Sequence, residues 1–209
     1  MTIFERNELQ KSFGMKKLVS FIILFFLTIS NAQEHHIVIE LNNGTVKEGE
    51  INGWAGYLWG YDNIIYKSGG KRAKVPTVDV KAFTIYESGK IRNFEKIKAY
   101  KNAKNIKPDK RELFAEILYK GENIALFYGI YGMDSQWNDL RFYCLRKGEE
   151  TASIVSFIFG NTKNLVFKKV GAKYFSDYPG LSKKIKNKEY TYKDIVEVVQ
   201  EYDRWKSTK

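Results

Sequence analysis

Two carboxylates and an indole share one short stretch, Gly-Met-Asp-Ser-Gln-Trp-Asn-Asp, in which Asp134 and Asp139 flank Trp137. A flat indole can stack on a sugar ring while carboxylates accept its hydroxyls. A pair of carboxylates is also what glycoside hydrolysis uses as acid and base or nucleophile. Aspartate is equally common in loops for its turn chemistry, so the spacing alone does not decide between ligand and turn. The other candidates for chemistry are poorer. His35 and His36 are the only histidines. Neighbours in a strand point to opposite faces, and no further His completes a metal set or a nucleophile–base pair. Cys144, the only cysteine, sits in the apolar run Arg-Phe-Tyr-Cys-Leu-Arg. It reads as a small buried residue rather than a nucleophile, and a single Cys forms no internal disulfide. Ser68-Gly69-Gly70-Lys71-Arg72 lacks the spacing of a phosphate-binding loop and reads as a hairpin turn with a charged tip. Trp54, Tyr57 and Trp59, separated by glycines, suggest core packing or a protein contact patch. No catalytic residue is assigned, and no metal or cofactor is implied.

These residues follow a segment with an address. Lys16-Lys17, the apolar run Leu18 to Ile29 and Ser30-Asn31-Ala32 form the three parts of a secretory signal, with cleavage expected between Ala32 and Gln33. The run is too short to span a hydrocarbon core, which takes about 20 residues as a helix. Glu5 and Glu8 are unusual ahead of such a segment, so the expected start is Met15. Gln33 stands where a bacterial lipoprotein would carry its lipidated cysteine, which argues against a lipid anchor. The address is secretion or the periplasm, with association to the cell surface as a further option, and no stable membrane span is expected.

The exported portion, 33–209, carries 31 Lys or Arg against 22 Asp or Glu, a net charge of +9. Such a charge suits anionic lipid, acidic glycan or nucleic acid. Lysine far outnumbers arginine, and bidentate phosphate recognition favours arginine, so nucleic acid loses ground. The charge concentrates in 96–111, where Lys96, Lys98, Lys101, Lys104, Lys107, Lys110 and Arg111 face a single acid, Asp109. This segment reads as a solvated basic connector, or as an anionic-surface contact if its lysines gather on one face. Asn102, Asn105 and Pro108 argue against a long helix there.

The elements that must position these residues fall into two β-rich parts. Residues 33–95 alternate as short strands with turns at Asn43-Gly44, Ser68-Gly69-Gly70 and Ser88-Gly89. Val46 and Ile51 are expected to return along one such strand, and Pro76 to mark an edge or a strand end. Residues 112–209 begin with two hairpins, 113–131 and 140–159. After Gly160 the period changes from two to about 3.6. A helix is expected from Asn161 or Thr162 to about Phe175, with Val166, Val170 and Tyr174 on its inner face. A second helix opens at Pro179 and buries Leu181 and Ile185. Thr191 and Asp194 approximate a capping box for a third, with Ile195, Val198, Val199 and Tyr202 on one stripe.

The C-terminal half, with FAEILYKGENIALFYG, RFYCLRKGEE and the segment from Lys168 to Asp203, resembles a family of secreted Bacteroidota proteins. The matching positions are Phe114, Glu116, Leu118, Gly121, Leu126 and Phe127, then Tyr174, Phe175, Asp177, Pro179 and Leu181. The tract Val75 to Phe83 is also similar. Tyr178 stands where that family usually has Cys, and Asp203 where Asn is common. The resemblance implies a β-rich fold closed by a short C-terminal helix and an exported address, and it implies no activity.

The resulting expectation is an α+β protein: a β meander, as a small barrel or twisted sheet, closed by two or three C-terminal helices. Its expected role is that of a non-catalytic envelope protein binding another macromolecule, an envelope protein or glycan. The alternative is a carboxylate-based hydrolase of envelope glycan.

Overall fold

Ten strands make one antiparallel sheet in this computed structural model. It describes residues 35–51, 62–87, 89–110, 112–131, 139–158 and 163–209. The strands are β1 (His36–Leu41), β2 (Val46–Glu50), β3 (Asn63–Ser68), β4 (Lys71–Pro76), β5 (Val80–Glu87), β6 (Lys90–Ile97), β7 (Leu113–Lys120), β8 (Ile124–Tyr131), β9 (Asp139–Arg146) and β10 (Ser153–Ile158). Helices α1 (Lys163–Tyr174), α2 (Pro179–Lys186) and α3 (Ile195–Ser207) complete the chain. The α+β class, the β-rich part and the C-terminal helices are as the sequence implies. The turns are built as their residues demand: Gly44, Gly69 and Gly70 have φ of 82°, 56° and 75°, a region open to glycine at no steric cost.

The strand order is β10-β9-β8-β7-β6-β5-β1-β2-β3-β4. β5 therefore lies four places from β4, although only the 3-10 turn Thr77–Asp79 joins them. Four peptide steps reach at most about 14 Å, whereas strands four places apart in a flat sheet are about 19 Å apart. The two strands also run the same way, so in a flat sheet the end of β4 and the start of β5 would lie at opposite ends. The sheet must therefore curl, though it does not close. The curl is filled by one core, in which Ile64 and Val75 of β3 and β4 meet Ile37, Ile39, Phe83, Ile85 and Phe94. Pro76 ends the edge strand β4, where its missing N–H costs no ladder bond. Val46 does not join Ile51 inside; it is 60% exposed, while Ile51 is buried. The two differ by five residues, and an odd separation puts them on opposite faces of a strand.

From β7 onward the sheet has two covered faces. On one, Leu126, Phe142, Cys144 and Val155 pack under the three helices. On the other, Ala115, Phe127, Tyr143 and Ile154 pack with Ile97, Ala99 and Ala152. The inner face of α1 is rotated from the expected one. Phe167, Gly171, Ala172 and Phe175 are buried, while Val166, Val170 and Tyr174 are only partly so. The reason is Gly171, where a Cβ would meet the Phe167 ring at 2.7 Å and the Val155 carbonyl at 3.3 Å. The small residues face β10 and let the helix backbone approach it. α2 and α3 bury the expected stripes: Leu181 and Ile185, then Ile195, Val198, Val199 and Tyr202. Thr191 and Asp194 form a capping box with Asp in place of Glu. The Thr191 N–H donates to Asp194 Oδ2 at 2.8 Å, and the Lys193 N–H to Thr191 Oγ1 at 3.3 Å. Among the described residues no helix is long and apolar enough to cross a membrane.

Candidate functional site

Asp134 and Trp137 lie outside the described residues, as do Trp54, Tyr57, Trp59 and the segment with Ala32 and Gln33. Asp139 opens β9. The carboxylates that the described fold does gather are different ones. Directly opposed residues of an antiparallel pair share a face. The registers therefore place Ile39, Phe83, Phe94, Glu116, Tyr128 and Phe142 in one row across six strands. Among these six Glu116 is the charged one, between Phe94 and Tyr128, with its side chain 15% exposed, and Lys47 of β2 continues the row beyond Ile39. Its partner is Arg92 on β6. Nε donates to Oε1 at 3.0 Å and Nη2 to Oε2 at 2.7 Å, a bidentate pair. The same guanidinium lies 5.2 Å from the Phe94 ring centroid and 3.5 Å from Glu87 Oε2 on β5. His35 Nδ1 lies 3.4 Å from the other Glu87 oxygen. The hydrogen bond to Glu116 raises the Arg92 pKa against the opposing effect of burial, and burial with the Glu116 charge raises that of the Tyr128 hydroxyl.

What this cluster can do follows from its geometry. The fork of Arg92 engages both oxygens of Glu116. Glu87 is held between Arg92 and His35. The arrangement neutralises charge on an otherwise apolar face. His36 turns to the opposite face, where Nε2 lies 3.8 Å from Glu48. Cys144 is fully buried and burial pushes its thiol pKa up, so the reactive thiolate is disfavoured. Among the described residues, no group of three or more His, Cys, Asp or Glu could hold a metal ion.

Where the helices meet the hairpins, polar and aromatic side chains clamp the two together. Arg146 of β9 pairs with Asp177 Oδ1 at 2.9 Å, and its guanidinium lies 4.2 Å from the Tyr174 ring centroid. Tyr202 donates to Asp177 Oδ2 at 2.7 Å. Tyr178 stacks on Trp205 at 4.5 Å and 6°. Asp203 accepts from the Tyr119 hydroxyl at 2.7 Å and the Asn123 N–H at 2.8 Å. Burial pushes the Asp203 pKa up, but these hydrogen bonds outweigh it and hold the carboxyl below its ordinary value. Gly121 makes the approach possible, because a methyl there would overlap the Asp203 carboxylate. Gly121→Ala is therefore expected to break the clamp and cost about 2 kcal/mol, the worth of hydrogen bonds to a charged group. Urea unfolding of Gly121→Ala, Asp203→Ala and the double variant checks this. The second substitution should cost much less in the background of the first.

The basic segment is the other unusual feature. It is a folded loop held on the second face of the sheet. Ala99 bridges Ala152, Tyr100 bridges Pro108, and the Lys101 N–H donates to the Lys107 carbonyl at 3.1 Å. Asn105, with φ of 52°, clasps β10: its Nδ2 donates to the Ile154 carbonyl at 3.4 Å and its Oδ1 accepts from the Ile154 N–H at 3.2 Å. Arg141 reaches across to the Lys101 carbonyl at 2.8 Å. Lys98, Lys101, Lys104, Lys107 and Lys110 are all exposed. Lys96 is not one of this set: it lies partly buried on β6, 5.4 Å from the Phe114 ring centroid.

Sequence reasoning passed over Arg92 and Glu87. The signal that would have found the cluster is Glu116 itself, which interrupts the inward positions Phe114 and Leu118 and so demands a buried cation. No family model, no curated protein and no solved structure matches this chain.

Proposed function

We propose that this chain is an exported envelope protein that binds another macromolecule and performs no catalysis. The observation that supports this most is the fate of the gathered carboxylates. Glu87 and Glu116 meet on one face from different strands, as a hydrolase would require, but both are taken up by Arg92. The three-part segment ending at Ala32 supports export.

Crosslinking in the native envelope, followed by mass spectrometry, tests the reading. A macromolecular partner should be captured, and the mature chain should begin at Gln33. Recovery of intact residues 16–32 on the folded envelope protein would overturn cleavage. Purified protein that cleaves peptidoglycan or another polysaccharide, and loses roughly 100-fold in rate in Asp134→Asn or Asp139→Asn, would overturn the non-catalytic reading.

A further inference from the structure

We propose that the loop 98–110 is a docking site for an anionic lipid bilayer. This deepens the binding role above and rests on it. Ala99 is fully buried, Ala103 packs beside it, and Asn105 clasps Ile154. Lys98, Lys101, Lys104, Lys107 and Lys110 are exposed to solvent. None of these five makes an ion pair with a described residue. Five cations in one short loop repel one another, and folding gathers them closer: the Lys101 and Lys107 backbones are hydrogen-bonded, and Asp109 N–H to Ala99 O at 2.8 Å closes the base. Nothing in the packing of the sheet requires lysine at these exposed positions.

The choice of a bilayer over other polyanions comes from Ile106. It is 75% exposed, among the most exposed large apolar side chains of the described residues. It stands between Lys104 and Lys107, directly after Asn105, whose left-handed backbone turns the chain there. A polysaccharide or nucleic acid would use the lysines and leave Ile106 in water. A bilayer uses both: anionic headgroups attract the lysines, and the acyl boundary takes the apolar side chain. The lysine chemistry also fits, because attraction to a charged surface needs no bidentate geometry. The loop is already fixed by Arg141 and Asn105, so docking orders little backbone and loses little entropy.

Each lysine within reach of an anionic surface contributes roughly a fivefold factor in affinity, and burying the isoleucine roughly tenfold or more. The test is cosedimentation of the full chain with vesicles of equal parts phosphatidylcholine and phosphatidylglycerol, against vesicles of phosphatidylcholine alone. Binding should appear only with the anionic vesicles and weaken as salt rises. Joint replacement of Lys101, Lys104, Lys107 and Lys110 by Gln should weaken it by roughly several hundredfold. Ile106→Ser should weaken it roughly tenfold while leaving binding to heparin and duplex DNA unchanged. All five positions are exposed, so the variants should keep the wild-type melting temperature. Equal or tighter binding to heparin or DNA, with vesicle binding indifferent to Ile106→Ser, would assign the loop to a polymer and overturn the proposal. Absence of vesicle binding would also overturn it. A partner captured by crosslinking in that case would leave the broader binding role standing.

Discussion

Val199→Asp should unfold this protein's C-terminal packing, lowering stability by about 4 kcal/mol or more. Val199 is fully buried in α3, among Val198, Ile195 and Tyr202 and against Leu126 and Ile124 of β8 in the same core. Two costs combine. The apolar contacts of the valine are lost, and a carboxylate is placed in an apolar cluster. The side chain would respond by taking up a proton, which limits the cost to that of a neutral but unsatisfied acid plus the pKa shift that protonation requires. At 2–4 °C per kcal/mol for a domain of this size, the melting temperature should fall by roughly 10 °C or more. Lowering the pH should recover part of the loss, since the folded state then holds the neutral form at less expense. The sign is that of a raised folded-state pKa: the unfolded chain ionises first, so the penalty grows as pH rises above the unfolded value. Thermal denaturation followed by circular dichroism checks it. A variant melting within a degree or two of wild type would mean that α3 stands free of the core.

That stripe on α3 was legible in the sequence because its spacing matches a helical period and a capping box announces its start. The strands were legible for a similar reason. Alternation and glycine turns fix each hairpin locally, and Asn43-Gly44 or Ser68-Gly69-Gly70 allow little else. The face of α1 was not legible. Val166, Val170 and Tyr174 have the right spacing, but so do Phe167, Gly171 and Phe175, and a glycine counts for nothing in a hydrophobic pattern. Only the proximity of the β10 backbone shows that the smallest residue is the innermost. The curl of the sheet was equally hidden, since it depends on β5 pairing with β1 rather than β4. The basic segment is legible by its lysines, which are exposed apart from Lys96. What the lysines conceal is the docking side: Ala99, Ala103 and Asn105 carry no pattern that a sequence displays. The candidate site divides in the same way. Asp134, Trp137 and Asp139 were conspicuous for their types, whereas Glu116 is conspicuous for its place, and place requires the register.

Arg92→Met should cost about 3 kcal/mol, because it strands Glu116 on an apolar face. Removing one partner of a buried ion pair costs about 3–5 kcal/mol, whereas a fully exposed pair is worth under about 1. The side chains of Arg92 and Glu116 are 16% and 15% exposed, which places them near the buried limit and the effect near its lower end. The stacking of the guanidinium over Phe94 is lost as well, and Glu87 is left with His35 alone. The decisive variant is the double one. Arg92→Met with Glu116→Leu replaces both charges by apolar groups in a row already made of Ile39, Phe83, Phe94, Tyr128 and Phe142, and such replacement is commonly neutral or stabilising. The double variant should therefore regain most of the stability lost in the single one, giving a large coupling energy in urea unfolding. A single variant within about 1 kcal/mol of wild type would show that water already solvates Glu116. If the double variant is as stable as wild type, the pair is not needed for the fold. Its retention then has to be explained by what the face meets. Crosslinking of that stable variant in the envelope measures this directly: an unchanged set of partners leaves the pair with only a packing role, and a lost partner places Arg92 and Glu116 in the binding surface.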